Sequence, residues 1–357
     1  MADLSDGTFE ALRGARVLLT GDTGFKGSWL AAWLVELGCE VAGFALPPEG
    51  DEPLFDRLGL SAKIAHSDGD LREAAPISRL VGEFRPDVVF HLAAQSLVLR
   101  GYAEPKATFD TNVGGSVNLL EAIRATESTR ALVYVTSDKV YAERNSKAGY
   151  AEADPLGGSD PYSASKAAAD IAFGAYSAAF FQKRRHFGAA SVRAGNVIGG
   201  GDWAENRLVP DCIRALGAAR PIGLRNPNAV RPWQHVLEPL AGYLMLAAGL
   251  LERPHAFDGA WNFGPEPDDM RPVCSIADIV IDAWGEGCVE AAPVVEPHHE
   301  ASALYLASDK AKRELGWRPR WDVATAVRKT VEWYREVAGG GNAAAVTHRQ
   351  IEEYMES

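Results

Sequence analysis

The sequence predicts an α/β fold: a Rossmann-like, doubly wound parallel sheet followed by a smaller C-terminal mixed α/β lobe. Three observations predict it. Short apolar runs recur along residues 16–194 and alternate with helical patterns, which gives a parallel sheet covered on both faces. Glycines spaced Gly21-x-x-Gly24-x-x-Gly27 stand between the first run and the first helical pattern. After Asn196 the texture turns loop-rich, with Gly199-Gly200-Gly201 and proline-containing stretches at 220–232 and 261–272.

Taken in order, residues 16–20 read as the first strand and 28–37 as a helix that Gly38 ends as a C-cap. A second strand covers 39–45. Strand 87–92, helix 105–125, strand 131–136, a long helix 161–186 and strand 190–194 follow, joined by right-handed crossovers. Helical patterns return at 237–251, 276–284, 309–315 and 323–337. Gly339-Gly340-Gly341 reads as a flexible joint before a polar tail. The chain divides accordingly into a dinucleotide-binding domain (14–195), a mainly substrate-binding lobe (196–338) and a C-terminal tail (339–357).

The 357 residues suffice for about two domains. With 36 Lys and Arg against 48 Asp and Glu, the net charge of −12 argues against non-specific nucleic-acid binding. It leaves room for a local basic pocket. The four cysteines form no CxxC pair, so neither a metal site nor a disulfide framework is expected. Residues 1–14 carry no basic segment before an apolar one, and the longest apolar stretch, 240–251, is too short to span a bilayer. A cytoplasmic protein with no membrane partner is expected.

Glycines at the first strand–helix turn let a helix N-terminus approach a pyrophosphate closely. The second strand closes on Gly43-Phe44-Ala45-Leu46-Pro47, without the carboxylate that would hold a ribose and without an Arg or Lys for a 2′-phosphate. That absence of a phosphate partner favours NAD. Asp70, in Gly69-Asp70-Leu71-Arg72, either approaches the adenine or caps a helix.

Tyr162 and Lys166 are four apart at the start of a helix and share one face. A nearby ammonium would lower the phenol toward a usable base. Ser137, Asp138 and Lys139 end the preceding strand, where ligands of open α/β sheets bind. His91 and His235 read as core residues, and Thr111-Asn112 as support for the site.

These stretches resemble the extended short-chain dehydrogenase/reductases of the NAD-dependent sugar epimerase/dehydratase family, and within it the 4,6-dehydratases of CDP-D-glucose. The resemblance is carried by Thr20-Gly-Asp-Thr-Gly-Phe-Lys-Gly-Ser-Trp29, His91-Leu-Ala-Ala-Gln95, Thr136-Ser-Asp-Lys-Val-Tyr141 and Pro161-Tyr-Ser-Ala-Ser-Lys166. Arg193-Ala-Gly-Asn-Val-Ile-Gly-Gly-Gly-Asp-Trp203, Arg207-Leu-Val-Pro-Asp211 and Arg231-Pro-Trp-Gln-His-Val236 extend it.

What the resemblance implies is a redox-neutral loss of water from CDP-D-glucose, giving CDP-4-dehydro-6-deoxy-D-glucose. NAD would lie against Gly21, Thr23, Gly24, Phe25, Lys26, Gly27, Asp70, Leu71, Leu92, Ala93, Ala94 and Gln95, with Tyr162 and Lys166. Tyr162, assisted by Lys166, would take the C4 hydroxyl proton, Ser137 would orient that oxygen, and Asp138 would protonate the departing C6 hydroxyl. Lys139 stands where the related dTDP-glucose enzymes have a glutamate; it would handle the C5 proton as a free amine or stabilise enolate charge as a cation.

Asn196, Arg207 and Arg231 would hold the diphosphate. The cytosine would be read by backbone atoms of the 199–203 loop or near residues 224–226. The resemblance also implies a homodimer or homotetramer paired through the helices at 105–125 and 161–181. A nucleotide-sugar 4-epimerase is the competing enzyme reading, which needs no acid for the C6 hydroxyl. A catalytically dead dinucleotide sensor is the non-enzyme one.

Overall fold

Seven strands line up side by side in one sheet: β1 (Arg16–Thr20), β2 (Glu40–Ala45), β3 (Ala65–Asp68), β4 (Val88–His91), β5 (Ala131–Val135), β6 (Gly188–Ala194) and β7 (Gly259–Phe263). All are parallel, in the order β7-β6-β5-β4-β1-β2-β3. The computed structural model describes residues 7–144, 149–292 and 305–357. Residues 1–6, part of the segment read for a leader, lie outside the described residues, as do 293–304 of the lobe.

Strand alternation sends side chains to two separate cores. Val17, Leu19, Val88 and Phe90 face one layer; Leu18, Val89, Leu132 and Tyr134 face the other. The first layer includes helices α1 (Phe25–Glu36) and α6 (Leu237–Glu252), the second α2 (Ala74–Phe84), α3 (Ser116–Arg124) and α4 (Pro161–Ala179). The strand order reverses between β1 and β4. Open sheets of this kind present a crevice at that point, beyond the strands' carboxyl ends.

The expected fold class holds, with local corrections. The helix expected over 105–125 runs without interruption from Pro105 to Arg124, but with a π-helical stretch at Asp110–Gly115 ahead of α3. The wide turn falls where Asn112 leaves the helix pattern to serve the site; such turns are common at functional positions. The helix expected to reach residue 186 stops at Ala179. The sheet takes β7 from the loop-rich half, so a break at residue 195 does not separate the layers.

Residues 339–357 are not a loose tail. Gly340 turns the chain at φ +93°, and α9 (Ala343–Glu356) follows, capped by Asn342. Its Val346, Ile351 and Tyr354 are fully buried. Tyr354 donates to Glu238 of α6 at 2.7 Å, and Trp333 of α8 (Val323–Ala338) donates to Thr347 at 2.9 Å. The rest of the lobe uses α5 (Leu208–Gly217), α7 (Val273–Trp284) and two-stranded ladders. One ladder pairs Val197–Ile198 with Gln234–His235. Another pairs Val230–Pro232 with Met270–Pro272, and a third Ile222–Leu224 with Val289–Ala291.

Candidate functional site

The glycine turn is built for close approach. Gly21 sits at φ +80°, and a Cβ there would lie 2.7 Å from the Ala93 nitrogen. A Cβ on Gly27 would lie 2.0 Å from the Gly21 carbonyl oxygen. Only glycine therefore lets β1, the Leu92–Gln95 segment and the start of α1 converge. Gly24 caps α1 without a side chain, and the first intrahelical bond reaches Ser28 from Gly24. The amides of Phe25, Lys26 and Gly27 thus open outward as a helix N-terminus does, with no capping group in the way of a diphosphate. These residues fit a dinucleotide.

Others on the cofactor side serve the scaffold as well. Thr23 donates to the Leu46 carbonyl at 2.9 Å. Asp70 accepts from the Arg72 amide and guanidinium, and Arg72 holds its carboxyl below the ordinary range. It caps no helix, because α2 begins after Glu73. Leu71 is buried and its carbonyl accepts from Asn118. The Gln95 amide donates to Asn112 Oδ1 at 2.8 Å, while Asn112 Nδ2 donates to the Gln95 carbonyl and to Ser165 Oγ. Asn112 thus staples the cofactor strand loop to the Tyr162–Lys166 turn. His91 is buried between Thr20 and Ser116, 2.7 and 2.9 Å from their hydroxyls, and burial drives it down to about 3. It is a core histidine.

On the other side of the crevice, β5 runs into Thr136 and a single 3-10 turn at Asp138–Val140. Ser137 caps that turn, accepting from the Lys139 amide at 3.2 Å, and donates its hydroxyl to Asp138 Oδ1 at 3.0 Å. Asp138 is buried, which raises its carboxyl above the ordinary value despite the opposing charges of Lys139 and Lys26. Gly195 clears the space beside it: a Cβ there would lie 3.3 Å from Asp138 Oδ2.

Asp160 caps α4 and sets Tyr162 and Lys166 on its first turns. Lys166 donates to the Val135 carbonyl at 3.0 Å, and burial takes it down to about 8. Tyr162 departs from expectation. Burial pushes its phenol up to about 12, opposed by the Ser137 hydroxyl and the Arg207 charge, so the expected lowering by Lys166 is not what governs it here.

Lys26 is unexpectedly central. Its ammonium lies 3.5 Å from the Tyr243 hydroxyl and 5.6 Å from that ring's centroid. Burial, then Arg207 and Lys166, bring it down to about 8, and Asp138 acts the other way. The glycine turn and the Asp138 turn therefore meet at one centre, with Arg207 at its edge. Arg207 is fixed by Asp202 at 2.8 Å. Arg231 stands in the strand Val230–Pro232, and Asn196 accepts from the Gln234 amide at 3.2 Å. His235 is fully buried between Trp29 and Trp321, as expected of a core residue.

The pair Asp22–His66 went unread in the sequence. His66 Nδ1 lies 2.7 Å from Asp22 Oδ2 and its Nε2 lies 3.0 Å from Asp68 Oδ1. A Cβ on Gly43 would lie 2.1 Å from Asp22 Oδ2, so the glycine in β2 makes room for that carboxylate beneath the turn. Among the described residues no cluster of His, Cys, Asp and Glu could hold a metal.

Residues 17–257 match the NAD dependent epimerase/dehydratase family. The chain belongs to that family. The CDP-glucose 4,6-dehydratase of Salmonella typhimurium strain LT2 is 41% identical over 347 residues, covering 96% of this chain and 97% of that one. The dTDP-glucose 4,6-dehydratase of Shigella flexneri is 27% identical, covering 89% and 92%. Among solved structures, the dTDP-glucose 4,6-dehydratase of Streptomyces venezuelae with NAD bound superposes with a TM-score of 0.77 at 26% identity, covering 92% of this chain and 99% of that one. The UDP-glucose 4-epimerase of Thermus thermophilus in complex with NAD gives 0.76 at 26%, covering 90% and 99%. As a family member the chain is an NAD-dependent enzyme with a Rossmann-like sheet. No helix among the described residues is long and apolar enough to cross a membrane.

Proposed function

We propose that this enzyme converts CDP-D-glucose to CDP-4-dehydro-6-deoxy-D-glucose and water. The observation that carries the reading is Asp138: a buried carboxyl raised above its ordinary value, held by Ser137 beside the Tyr162 turn. A 4-epimerase has no use for such an acid. The likeness to the Salmonella enzyme supports the dehydratase over the epimerase and names the cytidine nucleotide.

NAD, held at the Gly21–Gly27 turn and the Leu92–Gln95 segment, supplies when bound the temporary acceptor for two electrons and a hydrogen, taken from sugar C4 and given back at C6. Tyr162 must first ionise to take the proton of the C4 hydroxyl, its phenolate favoured by the Ser137 hydroxyl and the Arg207 charge, and Ser137 orients that oxygen. With C4 a ketone, the proton on C5 becomes acidic. Lys139, whose charge bears on Asp138, serves this step in one of two ways: as a free amine it takes the C5 proton and later returns it, or as a cation it stabilises the enolate while the C5 proton passes to and from water. Asp138 protonates the C6 hydroxyl, which leaves as water; the carboxyl must be in its acid form, and its burial favours that form. C5 is reprotonated as the C6 methyl forms. Lys166 holds the Tyr162 turn against β5 through the Val135 carbonyl. Asn196, Arg207 and Arg231 bind the diphosphate.

Two copies pair through α4 and the helices before it, which support this by exposing Ile171 (59%), Phe180, Leu99 and Phe109. Light scattering of the purified chain showing only monomer would remove that part. The enzyme works in the cytoplasm.

The test of the whole is direct. Purified protein is offered CDP-, dTDP-, UDP- and GDP-glucose with NAD. A 4-keto sugar absorbing in alkali should form fastest from CDP-glucose, and tritium placed at C4 should appear on the product's methyl group. Tritium lost to solvent or kept at C4 overturns the reading.

A further inference from the structure

The reading above requires the protein to tell cytosine from uracil and thymine, and α5 carries a residue suited to that task. A CDP-sugar is linear in order: sugar, diphosphate, ribose, base. Its sugar sits at Tyr162 and Asp138. Arg207 borders that centre, since its charge acts on both Tyr162 and Lys26. Arg207 also caps α5, and Asp211 lies four residues further on. Four residues are about 6 Å along a helix axis and return to the same face. Asp211 therefore lies one turn along α5 from the diphosphate cation, on the same face.

Its side chain is half-buried and still open to an incoming ligand. Arg214 donates to Asp211 Oδ1 at 2.7 Å, and no described hydrogen bond falls on Oδ2. Arg225 directly follows the strand Ile222–Leu224 and reaches Asn206, the residue before Arg207, and its charge bears on Asp211. Apart from a long 3.4 Å contact with Asn206, the Arg225 guanidinium makes no other described side-chain hydrogen bond. An acceptor held by Arg214 and a largely uncommitted guanidinium thus both lie near the Arg207 end of α5.

Cytosine presents a donor at N4 and acceptors at N3 and O2; uracil and thymine present an acceptor at O4 and a donor at N3. A carboxylate accepts from cytosine N4 and repels O4 of the other two. A guanidinium donates to cytosine N3 and O2. We propose that Asp211 selects the cytosine base by accepting a hydrogen bond from its exocyclic amine, with Arg225 donating to the adjacent ring acceptors. This rests on the assignment of a CDP-sugar substrate. It replaces the expectation of backbone readout by the 199–203 loop with a side-chain pair, and keeps the neighbourhood of residues 224–226.

The experiment compares kcat/KM for CDP-glucose and UDP-glucose, and calorimetric binding of CDP and UDP, in the wild type, Asp211→Asn and Asp211→Leu. Asn can turn its amide to donate to O4, so Asp211→Asn should narrow the CDP-to-UDP preference by about tenfold or more, mostly through KM. Asp211→Leu should weaken CDP by about tenfold without improving UDP. Because each ratio is taken within one variant, a change in folded fraction cancels. A preference unchanged to within about twofold in both variants overturns the proposal. A wild type that turns over no CDP-glucose but does turn over another nucleotide sugar overturns the substrate assignment instead.

Discussion

The Ser137 hydroxyl donates to the buried Asp138 carboxyl across 3.0 Å. That bond leaves Asp138 Oδ2 facing the space cleared by Gly195. In the proposed elimination, Oδ2 is the oxygen that meets the substrate hydroxyl.

Asp138→Asn keeps the shape and removes the proton. Product formation should fall by about a hundredfold or more, in the range of general acid catalysis. Substrate recovered from heavy water should still carry deuterium at C5, read by mass spectrometry, because the ketone still forms. Normal turnover would exclude Asp138 as the acid.

The same residue sets a pH trend. Its pKa is raised by burial, so the acid form persists above the ordinary carboxylate range. The elimination rate should hold at low pH and decline as pH rises through that raised value. A rate that instead climbs with pH across the whole neutral range would contradict the assignment.

Tyr162→Phe should behave differently. Without the phenol no ketone forms, so C5 exchange disappears together with product, again by about a hundredfold or more. NAD binding, followed by calorimetry, should survive. Retained C5 exchange would move the base elsewhere.

Gly21→Ala would drive a methyl group to within 2.7 Å of the Ala93 nitrogen, at a φ that costs about 1–2 kcal/mol for a non-glycine residue. NAD affinity should drop at least about tenfold, and thermal unfolding should come earlier. An unaltered binding isotherm would show that the turn is not the dinucleotide cradle.

Glu238 supplies a stability test away from the chemistry. Burial raises its carboxyl from 4.5 to about 7, against the opposing Trp321 and Arg320 amides and the Tyr354 hydroxyl. The folded chain holds this proton more tightly than the unfolded one. The resulting stabilisation is fully present below pH 4.5 and is lost as pH rises through about 7, amounting to about 3 kcal/mol. Urea unfolding of Glu238→Gln should show a correspondingly flatter decline between pH 5 and 8. An identical slope in both proteins would place the titration elsewhere.

Much of this was legible in residue order alone. Five of the seven strands announce themselves as apolar runs, because strands buried on both faces have no polar side to hide them. β3 does not: Ala65-His66-Ser67-Asp68 is polar, and beside its ladder with β2 Asp22 reaches across Gly43 to His66. The π-helical stretch in the 105–124 helix was invisible because it goes with tertiary bonds, those joining Asn112 to Gln95 and Ser165. α9 was misread because three glycines precede a mainly polar segment. Its buried Val346, Ile351 and Tyr354 gain meaning only with α6 and α8 already in place. Spacing and resemblance picked out Ser137, Asp138, Tyr162 and Lys166, and the structure brings their two turns together. The phenol's upward shift was not, since it depends on how much protein surrounds the ring.

The edge position of β7 bears on how the polypeptide acquires its shape during synthesis. A ribosome that has delivered everything through Ala194 has made six strands, yet β6 still shows an unpaired backbone edge. That edge stays sticky until Phe263 emerges some seventy residues later, and α1 lacks its outer cover until Tyr354 does. Nascent chains stalled between these points should be held by chaperones or associate edge to edge, and truncations at the apparent domain boundary should be poor reagents for studying the dinucleotide half alone.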